Sequence, residues 1–128
     1  MKELEKKLYK YLKARNWHQL RPADLSKSIM IEGAELLELF QWENCSLDEV
    51  KANKTQVEEI KKELADVLIY AMELSVLLGF DTEKIIRAKL ASVEKKYPAK
   101  LMRNDAVREP GMKSEYARIK ATHRGLTK

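Results

Sequence analysis

The sequence predicts an all-α protein. Apolar residues recur at helical spacing nearly throughout, and no segment alternates in the manner of a strand. Only four Gly and three Pro punctuate 128 residues, which leaves room for long helices joined by short connections. The punctuation places a bundle of four core helices in residues 1–98 and a basic extension in residues 99–128. A domain of this length buries a core without needing disulfides or a structural metal.

The first helix is expected over about residues 2–15, with Leu4, Leu8, Tyr11 and Leu12 on one side. A connector follows with Trp17, read mainly as core packing, and His18, read as solvated. The second helix is expected over about residues 23–42, started by Pro22, since a helix needs no N–H in its first turn. Residues 43–54 are polar, with space for one short turn of helix. Thr55 and Glu58 have capping-box spacing, which begins the third helix near Gln56, and Gly79 sits just past its end at Leu78. Asp81 or Thr82 caps the fourth helix, which stops by Tyr97 because the residue before a proline disfavours helical geometry. Beyond Pro98, residues 104–111 read as loop. Residues 112–124 read either as one amphipathic helix that packs Tyr116 and Ile119 or as a basic tail.

Charge narrows the function classes. The chain has 25 Lys and Arg against 20 Asp and Glu, a net +5, but residues 1–98 contain 17 of each sign. The core is therefore neutral and only the extension is basic, which argues against a nucleic-acid-binding surface over the body of the protein. The single Cys45 cannot form an internal disulfide, and His18 and His123 lack zinc-type spacing. The N-terminal segment alternates charge with apolar residues, so it reads as neither signal peptide nor membrane span. A cytoplasmic setting and no membrane association are expected.

The carboxylates carry the chemistry. The second helix bears Glu32, Glu35 and Glu38, and the third bears Glu58, Glu59, Glu63 and Asp66. At about 100° per residue, Glu32 falls on the apolar face set by Leu25, Ile29, Leu36 and Phe40. Glu35 lies at the edge of that face and Glu38 nearly opposite. Between Leu64 and Leu78 only Asp66, Glu73 and Ser75 interrupt an apolar run, so the third helix is expected to be central, with little water at Asp66. An ionised carboxylate on a buried face is costly without a cation or donors. Two carboxylate pairs meeting between helices suit Mg²⁺, with Mn²⁺ as the alternative, because such ions take hard oxygen ligands and complete their shell with substrate phosphates. The bland reading is that these residues are solvated and paired with Lys27, Lys61 or Lys62.

The run Glu32-Gly-Ala-Glu35-Leu-Leu-Glu38-Leu-Phe-Gln-Trp42 followed by Glu63-Leu-Ala-Asp66-Val-Leu-Ile-Tyr70 resembles the MazG-like all-α nucleoside triphosphate pyrophosphatases, in particular the small dCTP-pyrophosphatase-like branch. The match extends over about residues 15–98. The resemblance implies that Glu32, Glu35, Glu63 and Asp66 hold Mg²⁺, and that water attacks the α-phosphorus of a nucleoside triphosphate to release pyrophosphate. Glu35 is then the candidate water-activating carboxylate, although another member of the cluster could serve. Lys89 matches the lysine of a phosphate-binding Lys-x-x-x-Asn motif, but Val93 stands where the family has asparagine. The residues after Trp17 also depart from the family, with Leu20, Arg21, Pro22 and Ala23 where a His and a basic residue are common.

Trp42, Tyr70 and Trp17 are the candidate base-contacting residues, each with core packing as its alternative. Two other functions remain: a helical module that binds nucleotides or a protein without turnover, and a nucleic-acid accessory protein using the basic tail. A homodimer or homotetramer is expected, because the third helix is apolar on nearly every face. Ile69, Met72 and Val76, on the side away from Leu64 and Ala71, are the expected contact residues.

Overall fold

The computed structural model describes residues 1–106, 111 and 114–125. Among them are the helices α1 (Lys2–Ala14), α2 (Pro22–Glu38), α3 (Leu47–Ala52), α4 (Lys54–Leu77), α5 (Thr82–Lys96), α6 (Ala99–Ala106) and α7 (Glu115–His123), and no strand. Two compact units divide the chain, Met1–Thr82 and Glu83–Lys128. None of the described helices is long and apolar enough to cross a membrane.

In the first unit α4 packs against α1, α2 and α3, and its pairing with α2 is the most extensive. Leu12 from α1 and Leu25 from α2 are its deeply buried apolar side chains. The helix ends explain the connections. At the end of α1, Trp17 N–H donates to Leu12 O at 2.9 Å and Asn16 N–H to Lys13 O at 3.1 Å. These are the paired bonds of a Schellman cap, with Asn16 in the left-handed region at φ 58°. Gly79, at φ 74°, closes α4 in the same way, with Phe80 N–H donating to Ser75 O at 2.9 Å and Gly79 N–H to Val76 O at 3.1 Å.

Two sequence-based boundaries move. The second helix ends at Glu38, short of Trp42, because the N–H groups of Leu39, Phe40 and Gln41 bond three residues back instead of four. The last turn thereby tightens and unwinds. The capping box also lies elsewhere. Ser46 and Glu49 form it at the start of α3, with Glu49 N–H to Ser46 Oγ at 3.2 Å and Ser46 N–H to Glu49 Oε2 at 2.8 Å. Asn53 ends α3 and caps α4, its Oδ1 accepting from Gln56 N–H at 3.1 Å, so Thr55 falls inside the helix.

In the second unit α6 makes residues 104–106 helical where loop was expected, while 107–110 and 112–113 lie outside the described residues. Of the two readings of the extension, the helix is the one present, beginning at Glu115. Its N-terminus is capped twice: Ser114 Oγ accepts from Ala117 N–H at 3.2 Å, and Asp105 accepts from the N–H groups of Glu115 and Tyr116 at 2.7 and 3.2 Å. Tyr116 stacks on Tyr97 with ring centroids 4.9 Å apart, and Ile119 is buried.

The exposed side of α4 differs in part from expectation: Ile69 is exposed as anticipated, while two of its companions are not. Met72 and Val76 are half-buried, because Val76 faces α1 across a cavity shared with Tyr9 and Lys10. Leu64, Leu68 and Ala71 form the exposed stripe instead, and Met30, Ala34 and Leu37 form a second one on α2. Leu37 and Leu68 are 69% and 57% exposed.

A buried polar contact ties the chain ends of the first unit together. Ser75 and Thr82 hydroxyls lie 2.8 Å apart, and Thr82 N–H donates to Glu5 Oε1 at 2.8 Å. The hydrogen bonds from Thr82 hold the Glu5 carboxyl below the usual carboxylate range. Thr82→Val strands the buried Ser75 hydroxyl and is expected to cost about 1–3 kcal/mol in denaturant unfolding. Because the folded-state value at Glu5 is depressed, the stability it adds is present above its unfolded value and lost as pH falls through its folded value. Glu5→Gln should therefore flatten the acid limb of a thermal-stability profile, and an unchanged limb would remove this role.

Candidate active site

The α2–α4 pairing decides where the carboxylates meet. Carboxylate oxygens of Glu32, Glu63 and Asp66 all lie within 4.8 Å of one another. Glu35, one turn after Glu32, is exposed and close enough to hydrogen-bond with both Glu32 and Glu63. The four residues thus come together. Asp66, expected to have little water nearby, is exposed, because the stripe beside it on α4 is uncovered in the single chain. Glu38 is exposed too, yet its charge reaches Glu63 from the next turn of α2, so it is not as remote as the helical wheel places it.

Burial, proximity to Glu35 and the charges of Glu35, Asp66 and Glu63 push the Glu32 carboxyl up. Glu63 is pushed up for the same reasons, burial first and then Glu35 and Asp66. Glu63 Oε2 is buried without a hydrogen-bond partner. Of the three lysines considered as partners, Lys27 pairs with Asp24 at 3.6 Å and Lys61 with Glu58 at 2.6 Å, and among the described residues none, Lys62 included, forms an ion pair with the cluster. Hard oxygen donors converging around an unsatisfied oxygen, without an ion pair to a lysine, fit a divalent cation.

Beside the cluster is a cavity of about 360 Å³ between the α1–α2 region and α4. Asp66 belongs to both the cluster and the cavity wall. Tyr11, Trp17 and Tyr70 supply aromatic walls. Trp17 is held there by the Schellman cap of α1 and by an edge contact with Tyr11 at 6.0 Å, while Arg15 lies 3.9 Å above the Tyr11 ring. Trp17 is 45% exposed, so it serves as cavity wall more than as core. Burial and the charges of Glu32, Glu73 and Asp66 push the Tyr70 hydroxyl up, which keeps it a phenol able to donate.

The remaining sequence candidates are not among the residues lining this cavity. Trp42 is 88% exposed after the unwound end of α2 and does not line the cavity. Lys89 belongs to the second unit, where it lines a cavity of about 880 Å³ with Lys95, Lys96, Arg118 and His123. His18, read as solvated, is half-buried with an unpartnered Nδ1. Sequence reasoning noted Glu73 as an interruption of an apolar run and assigned it nothing. The structure buries it in the cavity wall.

Comparisons with known proteins identify the family. The sequence profile of the MazG-like family matches residues 27–105. Over 94 residues, or 72% of the chain, it is 31% identical to dCTP pyrophosphatase 1 of Rattus norvegicus. To dCTP pyrophosphatase 1 of Homo sapiens it is 30% identical over 94 residues. The aligned part is about half the length of these relatives, 55% in both cases. The crystal structure of a pyrophosphatase from Archaeoglobus fulgidus superposes with a TM-score of 0.66 at 37% identity, covering 77% of this chain and 92% of that one. With the profile spanning both carboxylate-bearing helices and a solved relative sharing the helical fold, the chain belongs to the MazG-like family.

Proposed function

We propose that the protein is a Mg²⁺-dependent nucleoside triphosphate pyrophosphohydrolase that converts a (deoxy)nucleoside triphosphate to the monophosphate and pyrophosphate. Residues 1–98 form its catalytic part. The observation that supports it most is the convergence of Glu32, Glu63 and Asp66 at the edge of an aromatic-walled cavity, with no ion pair to them among the described residues. dCTP is the first substrate to test, since the aligned mammalian proteins are dCTP pyrophosphatases.

Glu32, Glu35, Glu63 and Asp66 would hold the cation, with Mn²⁺ as a substitute. Bound there, it would supply charge neutralisation for the triphosphate oxygens, the main requirement of phosphoryl chemistry. Glu35 faces solvent at the rim of the cluster and serves as the base. It accepts a proton from a water whose oxygen bonds to the α-phosphorus. The bond from that phosphorus to the α–β bridging oxygen breaks, and pyrophosphate leaves with the bonding electron pair. Trp17 and Tyr70 bound the space for the nucleoside, and Trp42 adds an aromatic face where a second copy of the chain covers it. Lys89 binds phosphate, as the family motif implies, with Val93 withdrawing one polar contact. The exposed stripes on α2 and α4 support assembly into a homodimer or homotetramer.

Pyrophosphate release from a panel of ribo- and deoxyribonucleoside triphosphates, with and without Mg²⁺, tests the activity. Release that is equal in EDTA, or absent for every nucleotide, would refute it. Glu32→Gln and Asp66→Asn should lower turnover at least 100-fold, on the order of the loss seen when a transition-state electrostatic contact is removed. Glu38→Gln, which removes a charge outside the converging set, should cost much less.

Cation binding has its own readout. Glu32 and Glu63 have folded-state values raised above the ordinary range, so their protonated forms favour folding at low pH. That contribution is lost as pH rises through the folded values. A bound divalent cation offsets the loss. The rise in Tm on adding Mg²⁺ or Mn²⁺ should therefore be larger at about pH 8 than at about pH 5, and should vanish in the Glu32→Gln/Asp66→Asn double variant.

For assembly, Leu68→Lys should dissociate the oligomer in sedimentation and lower activity with it. A fully active wild-type monomer at micromolar concentration would exclude the assembly.

A further inference from the structure

Glu73 is the one carboxyl in the first unit that is nearly fully buried, at 4% exposure. It lines the cavity beside the carboxylate cluster, yet among the described residues it has neither a hydrogen bond nor an ion pair. Two polar neighbours on the same wall are engaged elsewhere. The Ser28 hydroxyl donates to Asp24 O at 3.1 Å, Asp24 pairs with Lys27, and Tyr11 lies under Arg15 and against Trp17. A polar group this buried is costly unless something satisfies it. A carboxyl left unpaired in an otherwise apolar helix run points to a ligand that enters the cavity.

The cavity defines that ligand. Three aromatic side chains, Tyr11, Trp17 and Tyr70, suit a flat ring, and Asp66 marks the end nearest the cluster where a triphosphate would lie. Metal is a poor occupant of the deep end, since the single converging group of metal-ligating residues among those described excludes Glu73. We propose that Glu73 is the specificity-determining residue of the nucleotide site, its carboxyl pairing edge-on with a nucleobase that presents an exocyclic amino group beside an unprotonated ring nitrogen. Cytosine and adenine present that pair on the Watson–Crick edge, whereas uracil has no amino group there and the guanine ring nitrogen on that edge carries a proton, its unprotonated N3 lying on the sugar side. The carboxyl oxygen accepts from the amino group while the acid hydroxyl donates to the ring nitrogen. Burial pushes the Glu73 carboxyl up, toward the neutral form that can both donate and accept. This inference deepens the pyrophosphohydrolase reading and rests on it for the placement of the triphosphate.

Two substitutions separate recognition from structure. Glu73→Gln keeps an acceptor and a donor at the same positions, and should retain the preference for amino-bearing bases. Glu73→Leu leaves the base edge unpaired, and should raise KM for cytidine and adenosine triphosphates about tenfold, with the uridine and guanosine compounds moved far less. Removing a buried unpaired carboxyl should also raise the Tm of the Leu variant, where a structural role would lower it. Binding of cytidine and uridine, followed by quenching of tryptophan fluorescence without metal, reads the same preference independently of turnover. A Glu73-dependent cytidine preference without pyrophosphate release would sink the enzymatic reading and spare the pocket. Turnover that loses equally for all four bases in the Leu variant, or shows no amino-base preference in the wild type, would overturn the role of Glu73 and leave the enzyme standing.

Discussion

The pairing of α2 with α4 is the constraint on which the site depends. It brings Glu32 and Glu35 from one helix to Glu63 and Asp66 from the other, so that like charges converge without an ion pair to a lysine among the described residues. Such a contact costs stability in the metal-free chain, and the raised carboxyls of Glu32 and Glu63 register that cost. A hard cation, as proposed above, would offset that cost.

The cavity depends on a smaller device. Asn16 adopts a left-handed conformation that most residues disfavour, and the resulting cap turns Trp17 back beside Tyr11 at the end of α1. The same motif recurs with Gly79 at the end of α4, where it delivers Phe80 and then the buried Thr82 contact. Helix termini, more than helix interiors, therefore set the outline of the space beside the carboxylates.

The large apolar exposure of the first unit has the same architectural origin. A 24-residue α4 that is apolar on several faces cannot be covered by α1, α2 and the six-residue α3 together. The uncovered residues, Leu64 and Leu68 on α4 and Met30 and Leu37 on α2, lie along stripes rather than singly. Isolated exposed leucines are ordinary on protein surfaces, but helical stripes of them are the pattern expected of surfaces that a second copy covers.

The sequence by itself determined the all-α class, the approximate helices of the first unit, and the four carboxylates as a set. These depend on local periodicity and on side-chain chemistry at fixed spacing, which one chain displays directly. It also determined the stops at Pro98 and Gly79, because proline and glycine act on their own backbone. Tertiary structure alone decided the rest. Asn53 outcompeted Thr55 as the cap of α4 because α3 ends immediately before it, and the end of α6, residues 104–106, is helical where sequence alone suggested a loop. The side of α4 left open was chosen by where α1 crosses Val76, a packing choice that a nearly all-apolar helix does not encode in its own pattern. Glu73 was visible as an irregularity, but its burial without a partner depends on what Tyr11, Trp17, Ser28 and Tyr70 do across the cavity. Partnering is a property of the assembled neighbourhood, so no reading of one helix could supply it.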